Sequence, residues 1–269
     1  MSLPESLVLP DIVELPSGLK LEALLTPPVL LTPPQSSKIP GKVAICLHPW
    51  SRLGGNMNDP VLRSLDHPLS SRLGFHVIRF NSRGVGRSSG WASLNGIQEV
   101  EDLKELVKYA VEKVGNVTDV ALIGYSNGSL PASMHPLLPP PIRTSHILIS
   151  YPFGPRGALT LFNSRAYQQG LENTLRSPGA RVLLVYGDED DFTSISSYDK
   201  WVDGLQKTAQ QSCGPLTGTV ANLSPVGLGS SSNPEKRLKV VPVKGATHFW
   251  MGSASRELLH HVVSFLEAL

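Results

Sequence analysis

A glycine-flanked serine, an acidic cluster further along the chain and then a histidine are the residue types that nucleophilic acyl transfer needs. The serine is Ser126, in Gly124-Tyr125-Ser126-Asn127-Gly128 directly after the apolar run Val120-Ala121-Leu122-Ile123. A strand that turns this sharply into a helix leaves no room for side chains beside the serine, which accounts for both glycines. It also lifts the hydroxyl above the sheet edge, at a helix N-terminus whose dipole favours developing negative charge. The plain alternative is a glycine-bounded left-handed turn with a capping serine. The rest of the chain decides between them.

A hydroxyl is a weak nucleophile at neutral pH, so a histidine must take its proton and a carboxylate must hold that histidine's tautomer. Both should follow Ser126, acid first. The run Arg181 to Tyr186 leads into Gly187-Asp188-Glu189-Asp190-Asp191-Phe192, and Val240 to Val243 leads into Gly245-Ala246-Thr247-His248-Phe249-Trp250. Of eight histidines, only His248 stands just past the last strand-like run. The alternative for it is a loop histidine packed under Trp250. For the acid, Asp190 is favoured over Asp191, with Asp188 as turn former. A calcium loop needs oxygen ligands at alternating positions over about a dozen residues, and Phe192 to Ile195 do not supply them.

Acyl transfer also needs donors for an oxyanion, usually one amide after the nucleophile and one from the loop after an earlier strand. Those amides belong to Asn127 and to Trp50, with Ser51 as the alternative to Trp50, because Pro49 has no N–H. His48 is read as packing that loop rather than moving protons. Phe153 and Trp250 are the expected substrate contacts, with Leu159, Phe162 and Trp50 as further apolar candidates, although aromatic residues near a site are more often core. Arg52 and Arg83 could meet a carboxylate, or serve the surface and turns.

The elements that must position these residues are short apolar runs alternating with helical periodicity, the pattern of a mainly parallel sheet covered by helices. Leu7 to Leu15 and Leu19 to Leu25 flank Pro16-Ser17-Gly18 and predict an antiparallel edge hairpin. Strands are predicted at Val43 to Leu47, His76 to Phe80, Val120 to Gly124, His146 to Ser150, Arg181 to Tyr186 and Leu238 to Val243. Val100, Leu103, Val107, Ala110, Val111 and Val114 make one stripe of a helix over Ile97 to Val114. The Pro-rich Thr26 to Pro40 should be an extended connection. Phe153 to Pro178 could form a small cap, and Gln210 to Glu235, rich in Ser, Gly and Pro, a surface loop insertion. In such sheets the ligand crevice lies beyond the carboxyl ends of the strands, where all three chemistry-bearing loops fall.

At 269 residues, 41% hydrophobic and 17% charged, the chain reads as one globular domain spanning 1–269. A formal charge of +2 with no basic run excludes the electrostatic footprint of nucleic-acid binding. Two cysteines, Cys46 inside an apolar run and Cys213, do not make a disulfide framework. No signal sequence or membrane span is legible, so a soluble, cytoplasmic protein without a membrane partner is expected.

Along nearly its whole length the chain resembles the α/β-hydrolase superfamily, particularly its small, nearly lidless serine hydrolases related to the dienelactone-hydrolase-like group. Leu47-His48-Pro49 followed by Gly54-Gly55-Asn56-Met57 is similar to their "HP…GG.M" oxyanion loop, and Arg79 to Ser88 to their "RFN.RG.G.S" loop. Gly187-Asp188-Glu189-Asp190 is similar to their acid-bearing "GD.D". The resemblance implies an eight-stranded, mostly parallel sheet, cofactor-free and metal-free acyl transfer, and Asp190 as the acid. The expected reaction is cleavage of a small-molecule carboxylic ester or thioester through an acyl-enzyme. The alternative is a non-hydrolytic small-molecule binding protein or lyase on the same scaffold.

Overall fold

A computed structural model describes residues 10–29, 40–154, 163–211 and 237–268. Eight strands form one sheet: β1 (Asp11–Glu14), β2 (Lys20–Thr26), β3 (Gly41–Leu47), β4 (His76–Phe80), β5 (Val117–Tyr125), β6 (Arg143–Ile149), β7 (Val182–Gly187) and β8 (Leu238–Val243). Their spatial order is β1-β2-β4-β3-β5-β6-β7-β8. The first two strands form the expected antiparallel edge, closed where the Leu15 N–H donates to the Leu19 carbonyl at 2.8 Å, with Gly18 at φ 82°. β2 pairs antiparallel with β4, and β3 through β8 run parallel. The start of the predicted first strand, residues 7–9, lies outside the described residues, as do 30–39 of the Pro-rich connection.

The central strands alternate strictly between faces, as a period of two requires. Val43, Ile45, Leu47, Val120 and Leu122 join one apolar core, while Ala44, Cys46, Ala121 and Ile123 join the other. Helices α2 (Ile97–Val114), α3 (Ser129–Met134), α4 (Ser164–Arg176) and α5 (Ile195–Gln211) cover the first face. Helices α1 (Pro60–His67) and α6 (Ser253–Glu267) cover the second. Each fully buried Leu, Ile or Val contributes roughly 1.5–3 kcal/mol of transfer free energy, so two filled faces fix the sheet and the loops at its carboxyl edge. No helix among the described residues is long and apolar enough to cross a membrane.

Three expectations change. Strand β6 begins at Arg143, three residues before His146, because the parallel register with β5 extends to Asp119↔Arg143, where the two side chains pair at 2.8 Å. The segment read as a cap is, from Ser164 to Arg176, a helix of the body: Tyr167, Leu171 and Leu175, one turn apart, are buried in the first core. Residues 155–162 of that segment lie outside the described residues. So do 212–236, which hold Cys213 and nearly all of the expected surface insertion; Gln210 and Gln211 end α5. Helix α1 was not expected from periodicity, yet it carries a local start signal, an Asp59 N-cap before Pro60.

Candidate active site

Strand β5 delivers Ser126 at φ 52°, a left-handed conformation that costs a non-glycine residue of order 1–3 kcal/mol. Packing holds it there. A Cβ on Gly124 would sit 2.4 Å from the Gly128 carbonyl oxygen, and one on Gly128 2.4 Å from that of Leu47. Both neighbours are backbone, so neither can yield, and the glycines are steric requirements of the turn. The hydroxyl of Ser129 donates to the Ser126 carbonyl at 2.6 Å and pins the start of α3.

The loops after β7 and β8 bring two more groups to Ser126. His248 Nε2 lies 2.8 Å from Ser126 Oγ, and His248 Nδ1 lies 2.8 Å from Asp190 Oδ2. With Nδ1–H donating to the carboxylate, Nε2 presents a lone pair to the seryl O–H. All three residues are buried. Asp190 Oδ1 in turn accepts from the amides of Phe192 and Thr193, at 2.9 and 3.0 Å. The neighbouring aspartates do other work. Asp191 accepts from the backbone N–H of His248 at 3.2 Å, and Asp188 from that of Gly245 at 2.7 Å. The Tyr125 hydroxyl donates to the His248 carbonyl at 2.9 Å, so the histidine's backbone is held on both sides.

The loop after β3 carries Trp50. Its carbonyl accepts from Leu53 and Gly55, at 3.0 and 3.1 Å, closing a tight turn, and a Cβ on Gly55 would lie 2.2 Å from the Pro49 oxygen. His48 Nδ1–H donates to Pro49 O at 2.6 Å, and Nε2 accepts from Ser82 N–H at 3.0 Å. Burial lowers the pKa of His48, and both ring nitrogens are committed, so this imidazole ties loops together. Further along, the Met57 N–H donates to Asn81 Oδ1 at 2.8 Å, and Arg79, ion-paired to Asp66 at 2.7 Å, donates to the Met57 carbonyl. Trp50 and Asn127 line a common recess of about 140 Å³. A second cavity of about 220 Å³ opens above Ser126 and His248, lined by Asp59, Trp50, Tyr125, Phe192 and Phe249.

A sequence profile described as the alpha/beta hydrolase fold matches residues 45–150, from β3 through the elbow to the end of β6. The chain has the α/β-hydrolase fold. Over 87 residues, 32% of this chain, it is 33% identical to an uncharacterized protein of Rickettsia prowazekii, a match that spans only 36% of that relative's length. Among solved structures, the chain is similar to an alpha-beta serine hydrolase homologue from Coxiella burnetii, at TM-score 0.63 and 23% identity over 98% of each chain. A lidless α/β serine hydrolase from Xanthomonas campestris aligns at TM-score 0.61 and 20% identity, covering 100% of this chain and 95% of that one. Est1E of Butyrivibrio proteoclasticus, with ferulic acid bound, aligns at 0.66 and 18%, covering 96% and 98%. At these identities the likeness concerns the fold alone.

Within this α/β-hydrolase frame, Ser126, His248 and Asp190 converge as their order in the chain requires, and Trp50 and Asn127 flank them. The two expected substrate contacts lie elsewhere. Phe153 stacks on Trp201, with ring centroids 5.2 Å apart, and packs against the first core, because the chain turns down toward α5 after Pro152. Trp250 is buried in the second core, its indole N–H donating to Ser150 Oγ at 2.9 Å. Leu159 and Phe162 lie outside the described residues. Arg83 is committed to Asp102 through two bonds of 2.6 Å, and Arg52 lines the smaller recess. The aromatic walls come instead from residues adjoining the site in sequence, Tyr125 before the serine, Phe192 two after the acid and Phe249 after the histidine. That adjacency was the available signal. Asp59 was visible only as a helix-start residue.

Proposed function

We propose that the chain is a serine hydrolase that cleaves a carboxylic ester or thioester. Ser126 attacks the carbonyl carbon while His248 Nε2 takes its proton, and the amides of Trp50 and Asn127 hold the oxyanion. Collapse expels the alcohol or thiol with the proton from His248, and His248 then activates water against the acyl-enzyme. Asp190 keeps the imidazole in the tautomer that presents Nε2 to the serine. The single observation that carries this reading is the pair of 2.8 Å contacts, Ser126 to His248 and His248 to Asp190, built on a backbone conformation that the local glycines enforce.

The test is labelling by a fluorophosphonate together with turnover of 4-nitrophenyl acyl esters. The wild-type chain is expected to label and turn over, and Ser126→Ala to lose labelling and roughly 10⁴–10⁶-fold in kcat. Equal turnover by the two proteins would remove Ser126 from the mechanism. Tight small-molecule binding with neither labelling nor turnover would favour a non-hydrolytic role.

A further inference from the structure

The cavity above Ser126 contains one carboxylate that the hydrolytic steps leave without a task. Asp59 lines it, half-buried, with Oδ1 accepting from the Val61 N–H at 2.8 Å as the N-cap of α1. No lysine or arginine lines this cavity. Around it stand Trp50, Tyr125, Phe192 and Phe249, with the Phe192 ring meeting the His248 ring edge-on at 4.6 Å and lying 6.1 Å from Phe249. Aromatic faces attract cations, and a carboxylate in a partly desolvated cleft lined by no basic side chain attracts a cation and repels an anion.

We infer that this cavity takes the alcohol portion of an ester that carries an ammonium group, and that Asp59 sets the preference for that cation over an anionic alcohol. His248 must hand its proton to the leaving oxygen, so the group attached to that oxygen lies on the His248 side, in this cavity. The inference rests on the hydrolase reading for which end of the substrate enters, and not for the charge it would carry. A purely structural role for Asp59, capping α1, is separable from it: asparagine caps a helix about as well as aspartate but carries no charge.

The test measures kcat/KM for three acetates, choline acetate, its neutral isostere 3,3-dimethylbutyl acetate and the anionic acetate of 3-hydroxypropanoate, in wild type and Asp59→Asn. Wild type is expected to favour the cationic over the anionic ester by at least about tenfold, and Asp59→Asn to shrink that ratio by about tenfold. The ratio is insensitive to any general change in activity, and an unchanged thermal midpoint would show that the cap survives. Binding of tetraethylammonium, measured by calorimetry, is the second readout, expected about tenfold weaker in Asp59→Asn. Equal ratios in the two proteins, or a wild-type preference for the anionic ester, would overturn the inference. If wild type turns over none of the acetates, fluorophosphonate labelling decides the hydrolase reading and calorimetry decides the cation site. Tighter binding by wild type then upholds the cation site, and equal affinity refutes it.

Discussion

At the scale of single residues, three aspartates within four positions hold three different partners. Asp188 bonds an amide of the β8 loop, Asp191 bonds the His248 amide, and Asp190 alone reaches the imidazole. Only the last contact changes which nitrogen of the ring carries the proton. Replacing Asp190 by Asn presents an amide that can stabilise the wrong tautomer, so kcat for 4-nitrophenyl acetate should fall by about 10⁴. Asp191→Asn weakens one backbone contact of 3.2 Å and should cost no more than about tenfold. Comparable losses in the two variants would mean that the two carboxylates share the role. The same logic explains why residue type alone left the acid open: adjacent aspartates have equal chemistry, and only the path of the loop decides which one faces the histidine.

At the scale of elements, the loop after β3, from which the proposed oxyanion donor comes, does not stand by itself. The segment after β4 clamps it at two places, through Ser82 N–H to His48 and through Asn81 to the Met57 amide, while Asn81 Nδ2 donates to Glu22 on β2 at 2.8 Å. Asn81→Ala should leave the buried Met57 donor unpaired, costing about 1–3 kcal/mol of stability in denaturant unfolding. It should also lower kcat about tenfold while KM changes little, since the loop's amide acts mainly when charge develops on the substrate oxygen. A KM effect alone would place Asn81 in ground-state binding. Such links explain what the sequence could and could not reveal. The strands and α2 were legible because burial imposes a period of two or 3.6, and Ser126 and His248 because their loops follow strands. Bonds such as Asn81 to Met57 or to Glu22 join residues 24 and 59 positions apart and leave no local pattern. Helix α4 falls within the segment expected as a possible small cap, and apolar residues at one-turn spacing look the same in sequence whether they cover a substrate or a sheet. Phe153 stacks on Trp201 and does not line the cavity over Ser126, because proximity to a strand end does not say which way a ring points.

At the scale of the whole molecule, packing three imidazoles besides that of His248 into the interior makes the fold sensitive to acid. Burial lowers the pKa values of His48 and His135, and that of the fully buried His146 to about 4 from an ordinary 6.5. His146 donates from Nε2 to the His135 carbonyl at 2.8 Å, and its Nδ1 finds no partner among the described residues. The folded state therefore refuses protons that the unfolded chain accepts, so stability is full above about pH 6.5 and falls as pH drops toward 4. For His146 the loss reaches about 2 kcal/mol by pH 5. Burial of Asp59, Asp66 and Asp102 raises their carboxyl pKa values, an effect of opposite sign that begins at the raised values and is complete below the ordinary 3.8. His146→Gln keeps an N–H in the place of Nε2 and has no titrating group. Urea unfolding of this variant should lose about 2 kcal/mol less than wild type between pH 7 and pH 5, and identical pH slopes in the two proteins would show that His146 is not a source of the acid sensitivity.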